Sequence, residues 1–223
     1  MNYKETKKYL TRYIKARIPI ITINTLEKDR ILRMLNEIIA EENINFNLFQ
    51  MSQGITDLKT NSLISEDKTI MSALDFISND IKYKENCNYI LSGISDIHES
   101  TVVSRYLLDV IEQTEKKSGC IILITNDFVW TNIQRLGISI NLNYPEEEEL
   151  LVTIKNILNS YKNQININWG DEEYKLAASY LQGLSEMEVK NIISSLIVKG
   201  EITIEDLEEL KNAKKTLFNE IAL

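Results

Sequence analysis

The apolar positions of this chain change their spacing several times, and each change predicts an element. Tyr9, Leu10, Tyr13 and Ile14 recur at helical spacing, which predicts a helix over 4–16 closed by Pro19. Ile18 to Ile23 is a short β-branched run of the kind found in buried strands. Thr25 stands where an N-cap belongs for a helix over 26–42, whose inner face carries Leu26, Ile31, Leu35 and Ile38. Phe46 and Leu48 alternate with polar residues and predict a strand over 45–51. Residues 54–68 are polar and read as a loop. A helix over 69–82 follows, with Ile70, Leu74, Ile77 and Ile81 on one side. A strand over 87–93, a helix over about 100–117 and the strongly apolar Cys120–Thr125 come next. A short helix over 128–136 leads to a fifth strand, 138–142, ended by Pro145.

Five alternations of strand and helix predict parallel strands joined by crossover helices on both faces of one sheet. After Pro145 the pattern is helical at 146–162, 171–181, 185–198 and 203–219, with an extended piece at 165–169. The expectation is an α/β domain over 1–145, its five-stranded, mostly parallel sheet sandwiched by helices, and a small all-helical domain over 146–223. Ser185 and Glu188 have the spacing of a capping box. Glu146 to Glu149 suit the first turn of a helix, where the macrodipole favours anions.

The composition, 43% apolar and 26% charged, is that of a globular protein and excludes a disordered or fibrous chain. No apolar run reaches the roughly 18 residues that span a bilayer, and the N-terminus lacks a signal peptide's apolar segment. Two cysteines, Cys87 and Cys120, fit a reducing compartment, so the expected location is the cytoplasm. With a single histidine besides, no metal site is expected. Charge is unevenly spread. Residues 1–18 hold six Lys and Arg against one acid, whereas residues 145–223 hold eight Lys against fifteen acids. A pI near 4.9 argues against direct nucleic-acid binding.

The layout resembles an AAA+ ATPase module, a P-loop-like core followed by a helical lid. Ala16 to Ile21, Leu91 to His98 and the Tyr144-Pro145-Glu146 exit are similar to the degenerate N-terminal module of bacterial and chloroplast AAA ATPases that carry two modules. That resemblance implies no membrane and a partner: an active AAA+ ATPase module, in the same parent chain or another protein, joined in a ring oligomer. It implies no resident cofactor, the alternative being ATP or ADP with magnesium on the partner module.

Hydrolysis needs a phosphate loop, in which glycines let backbone N–H groups wrap the phosphates and a lysine reaches the terminal ones. After the first strand this chain has Asn24-Thr25-Leu26-Glu27-Lys28-Asp29; no glycine precedes Gly54 and no Gly-Lys dipeptide occurs. Bulk fills the phosphate position, and Glu27 and Asp29 would repel an anion. By resemblance, the vestigial nucleotide-site positions are Thr25, Asp96, Asn126 and Ser185. Asp96 echoes one acid of the magnesium-holding pair, Asn126 a sensor at the end of the fourth strand, and Ser185 the turn that opens a lid helix. No arginine follows Arg135, so the lid's sensor arginine is absent, while Arg135 itself lies where an arginine finger would reach a neighbouring subunit.

The expectation is therefore a regulatory or scaffolding module that is not an ATPase by itself. Two alternatives are a module that binds nucleotide without hydrolysing it and a subunit similar to the clamp-loader delta subunit. A hydrolase built on His98 and Asp96 is a third reading, without a nucleophile elbow to support it.

Overall fold

The computed structural model describes residues 1–221, with side chains to residue 218. It divides into two compact units, one spanning Tyr3–Asn143 and one beginning at Tyr144. In the first unit the elements run α1 (Tyr3–Lys15), β1 (Ile20–Asn24), α2 (Lys28–Glu42), β2 (Asn47–Gln50), β3 (Gly54–Asp57), β4 (Leu63–Ser65), α3 (Ile70–Tyr83), β5 (Asn88–Ser92), α4 (Val102–Lys116), β6 (Cys120–Thr125), α5 (Thr131–Gln134) and β7 (Ile138–Asn141).

The sheet order is β4-β3-β2-β5-β6-β1-β7. The strands β2, β5, β6, β1 and β7 are parallel, while β3 and β4 add antiparallel at one edge. The sheet therefore has seven strands, not five. The two extra strands come from 54–68, read above as a loop because the segment is polar. β4 is an edge strand with Leu63 and Ile64 exposed, so it lacks the apolar alternation that burial imposes on inner strands. β5 and β6 are buried at every position, as a parallel sheet covered on both faces requires.

One apolar layer joins Ile21, Ile23, Ile122 and Ile124 to α1 and α2 through Leu10, Ile14, Ile31 and Leu35. The opposite layer joins Phe49, Leu91, Ile121 and Leu123 to α3, α4 and α5 through Leu74, Ile77, Leu107 and Ile133. Gly137, just before β7, is required sterically, since a Cβ there would lie 1.8 Å from the Ile20 carbonyl oxygen.

Helix α1 ends in a Schellman closure: the Ile18 N–H donates to the Tyr13 carbonyl and the Arg17 N–H to the Ile14 carbonyl. The left-handed residue of that closure is Arg17, at φ 56°, where glycine is the usual occupant.

The second unit holds α6 (Glu147–Tyr161), β8 (Asn166–Ile167), α7 (Asp171–Leu181), α8 (Glu186–Ile197), β9 (Glu201–Ile202) and α9 (Asp206–Ile221). It is not wholly helical, because β8 and β9 pair in parallel. That short pairing is anchored by Trp169, whose indole N–H donates to the Thr203 carbonyl at 2.7 Å. The unit has its own core, including Leu150, Ile154, Leu181, Val189, Ile193 and Leu210.

Candidate functional site

In an open α/β sheet, ligands bind beyond the carboxyl ends of the strands, where neighbouring strands send their helices to opposite faces. Here that point lies between β1, which leads to α2 on one face, and β6, which leads to α5 on the other. Thr25 and Asn126 immediately follow these two strands.

Both turns close on themselves in the same way. The Thr25 hydroxyl accepts from the Glu27 N–H at 3.0 Å, and the Thr125 hydroxyl accepts from the Asp127 N–H at 3.0 Å. The Thr25 N–H donates to the Thr125 carbonyl at 2.9 Å and locks the turns together. Thr25 thus shapes the turn, while the N-cap of α2 is Glu27, and the helix starts at Lys28 rather than 26.

The Glu27 carboxylate turns inward to the Arg30 guanidinium, an ion pair whose side chains are 6% and 1% exposed. Arg30 also donates to the Asn143 carbonyl at 2.9 Å, and its guanidinium carbon lies 5.9 Å from the centre of the Tyr3 ring. The Tyr3 hydroxyl donates to Glu37 at 2.9 Å, and Lys7 reaches the same carboxylate at 2.7 Å. Burial first, then the Glu37 charge and hydrogen bond, push the Tyr3 hydroxyl up to about 12. The turn after β1 is therefore the top of a connected network, buried at Glu27 and Arg30 and partly exposed at Lys7 and Glu37. Glu27 is neutralised within it, so the repulsion expected from that residue is not available to a ligand. The exposed acids near the turns are Asp29 and Asp127.

Two large apolar side chains break this polar surface: Leu26 is 72% exposed and Phe128 64% exposed. The helical spacing from residue 26 predicts Leu26 on the inner face of α2. Because the helix begins two residues later, Leu26 falls in the turn and leaves that face. The same reading misses the buried arginine, although an acid three residues before a base at the start of an apolar helix is the available signal.

Asp96 is exposed, in a left-handed conformation at φ 60°, and its carbonyl accepts the Thr101 hydroxyl that caps α4. Before that loop, Ser92 ends β5 at 2% exposure, and its hydroxyl has no partner among the described residues. His98 is exposed and lies 3.7 Å from Glu99, so the ion-pair partner shown for it is Glu99 rather than Asp96. Asn126 is exposed. Arg135 follows α5 in helical conformation and is exposed. Ser185 belongs to the second unit, where its hydroxyl accepts from the Glu188 N–H and the Glu188 carboxylate bonds back to the Ser185 N–H at 2.7 Å. Thr25 and Asn126 thus follow two adjacent strands whose ends are bonded to each other, Asp96 lies in the loop after β5, and Ser185 caps a helix of the other unit. Among the described residues no group of three or more His, Cys, Asp or Glu is placed to hold a metal, and no helix is long and apolar enough to cross a membrane.

Solved structures share this fold. A chain of the E. coli MS115-1 HORMA:CdnC:Trip13 complex is similar at TM-score 0.62 and 10% identity, covering 94% of this chain and 87% of that one. PCH-2 of C. elegans is similar at TM-score 0.62 and 14% identity, covering 98% of this chain and 69% of that one. In sequence, the uncharacterized AAA domain-containing protein ycf46 of Trieres chinensis is 24% identical over 211 residues. The match takes in 93% of this chain and 41% of that protein, so the chain spans about two fifths of the relative's length. Residues 6–142 match the N-terminal domain of SpoVK-like AAA ATPases and residues 148–220 their second domain, so the chain belongs to the SpoVK-like AAA ATPase family.

Proposed function

We propose that this AAA+ module does not hydrolyse ATP by itself and acts through contacts with an active AAA+ module, as a regulatory or scaffolding element of a ring. One observation carries the reading: the turn between β1 and α2 has no glycine, ties its Thr25 and Glu27 N–H groups to Thr125 and Thr25, and leads into the buried Glu27–Arg30 pair. Phosphate binding at such a turn depends on free N–H groups around an open space. Exposed Leu26 and Phe128 instead offer apolar contact area to a protein, with Asp29 and Asp127 beside them. The E. coli neighbour is a chain of a HORMA:CdnC:Trip13 complex, which supports an assembly role.

The charges of α1 refine the proposed contact. Lys7 pairs with Glu37 and Glu41, and Lys15 with Glu42, all on α2. The exposed cations for an acidic partner surface are Lys8 and Arg12, and such a contact weakens with salt. Arg135, exposed before β7, is proposed to complete a partner's site in trans.

Thermal denaturation with millimolar ATP and magnesium tests the reading. No rise in midpoint and no phosphate release by the isolated chain are expected. A rise without phosphate release favours nucleotide binding without hydrolysis, and turnover by the isolated chain overturns the proposal.

A further inference from the structure

The opposite end of the sheet carries a second feature that the assembly reading does not use. Beneath the amino ends of β2 and β5 lies an open cleft of about 550 Å³, within the size range of small-molecule sites. Its lining includes Arg17, Asn45, Asp57 and Asn88, with Ile64 and Phe76 as apolar walls.

Four of these residues form a continuous hydrogen-bonded line. Arg17 Nη1 donates to the Asn88 side-chain oxygen at 3.1 Å and to the Asn86 carbonyl at 3.2 Å. Asn88, 6% exposed, donates in turn to the Asn45 carbonyl at 3.0 Å. The Asn45 side-chain amide donates to the Asp57 carboxylate, which also accepts from the Thr60 N–H and hydroxyl. A cation stands at one end of the line and an anion at the other. Each is held by neutral groups alone among the described residues, so neither formal charge is cancelled by the protein. The remaining charged pair of the cleft, Lys84 and Asp80, is closed on itself at 2.6 Å.

Arg17 is costly where it stands. An L-residue in the left-handed region is strained, and glycine would close α1 equally well. Its Nη1 is fixed by two acceptors, which leaves the Nε–Nη2 edge, two parallel donors, available for a bidentate carboxylate. At the far end, burial works to raise the Asp57 pKa, but the hydrogen bonds from Thr60 and Asn45 outweigh it and hold the carboxyl below its ordinary value. It is therefore an anion at neutral pH.

The cleft also borders the carboxyl ends of α2 and α3, through Asn43 and Lys84, whose dipoles oppose a doubly charged anion such as phosphate. We propose that this cleft binds a zwitterionic small molecule of the amino-acid or short-peptide class, its carboxylate on Arg17 and its ammonium on Asp57. The site is independent of the turn after β1 and stands whether or not the chain binds nucleotide.

Amide-resolved NMR titration of the full chain separates the ends, using triglycine, N-acetyl-triglycine, triglycine amide and inorganic phosphate up to roughly 10 mM, a range suited to weak sites. Triglycine is expected to give saturable shifts at the Asn45, Asn86 and Asn88 amides. The two singly charged probes should bind about tenfold more weakly or worse, the loss of one charged hydrogen-bonding group. Arg17→Gly, which suits the left-handed backbone, should abolish the advantage of triglycine over its amide. Asp57→Asn, which keeps the acceptor oxygen, should abolish its advantage over the acetylated form. The proposal is overturned if triglycine gives no saturable shift, if all three peptides bind alike, if phosphate binds as well as triglycine, or if neither substitution changes the ranking.

Discussion

The two ends of one sheet each hold an arginine, and the chain treats them in opposite ways. Arg30, at the carboxyl end, is 1% exposed and bonded to the Glu27 carboxylate and the Asn143 carbonyl. Arg17, at the amino end, borders an open cleft and, among the described residues, is bonded to neutral oxygens alone. A charge inside a low-dielectric core must be paired, and once paired it is a structural part. A charge at a wet surface can stay unpaired at little cost and so remains available to a ligand. At the carboxyl end of the sheet the arginine is thus a structural part, and at the amino end it borders an open cleft.

The largest effect should come from breaking the pair at the carboxyl end. Arg30→Met takes the cation from beside the buried Glu27 carboxylate and is expected to lower stability by about 3–5 kcal/mol. Adding Glu27→Leu should recover most of that loss, because a well-packed apolar pair can replace a buried ion pair at little net cost. Urea unfolding of the two variants decides it; a loss below about 1 kcal/mol for Arg30→Met would mean that the pair is wet.

Next in size is the exposed apolar pair on the same end. Leu26→Ser with Phe128→Ser should leave the unfolding midpoint nearly unchanged, since both side chains are already mostly in solvent. If they anchor a partner module, the double variant weakens co-assembly by about 2 kcal/mol or more, a hot-spot magnitude. Sedimentation with the partner module reads it, and unchanged assembly removes these residues from the contact.

How much of this was legible follows from burial. The strands β1, β5 and β6 announce themselves as apolar runs because both of their faces are covered, and the capping box at Ser185 is legible because it is local. β3 and β4 were invisible, since edge strands are held by backbone bonds to a neighbour rather than by their own side chains. Of the candidate site, the missing glycines could be read directly, and the Arg30 network could not. Its partners Tyr3, Glu37 and Asn143 are far apart in sequence and meet only through packing. The Arg17 cleft was equally hidden, because its line of Arg17, Asn88, Asn45 and Asp57 is drawn from four separate segments.

A smaller effect is expected when the open end is altered. Arg17→Gly relieves left-handed strain of about 1–2 kcal/mol. It also loses two hydrogen bonds and adds the backbone entropy of glycine, about 0.5–1 kcal/mol. These terms offset, so stability should change by no more than about 1 kcal/mol, against the much larger loss at Arg30. A loss from Arg17→Gly as large as that from Arg30→Met would erase the distinction between the two ends.

The smallest expected effect lies at the rim of the Arg30 network and depends on pH. Burial tends to raise the Glu37 carboxyl, but hydrogen bonds from Lys7 and Tyr3 outweigh it and hold the group below its ordinary 4.5. A carboxyl depressed in the folded state stabilises above its unfolded pKa and loses that contribution as pH falls through the folded value. The side chains of Lys7 and Glu37 are 22% and 40% exposed, so solvent screens the pair. Glu37→Gln should therefore cost only about 0.2–1 kcal/mol at pH 7. That difference should shrink as the pH drops below 4.5 and vanish once Glu37 is protonated in both states. Urea titrations of the two proteins at successive pH values test this directly. A gap that persists in acid would show that the charge of Glu37 is not what stabilises, since glutamine keeps an oxygen to accept from Tyr3, and the network around Arg30 would then be held by packing more than by ions.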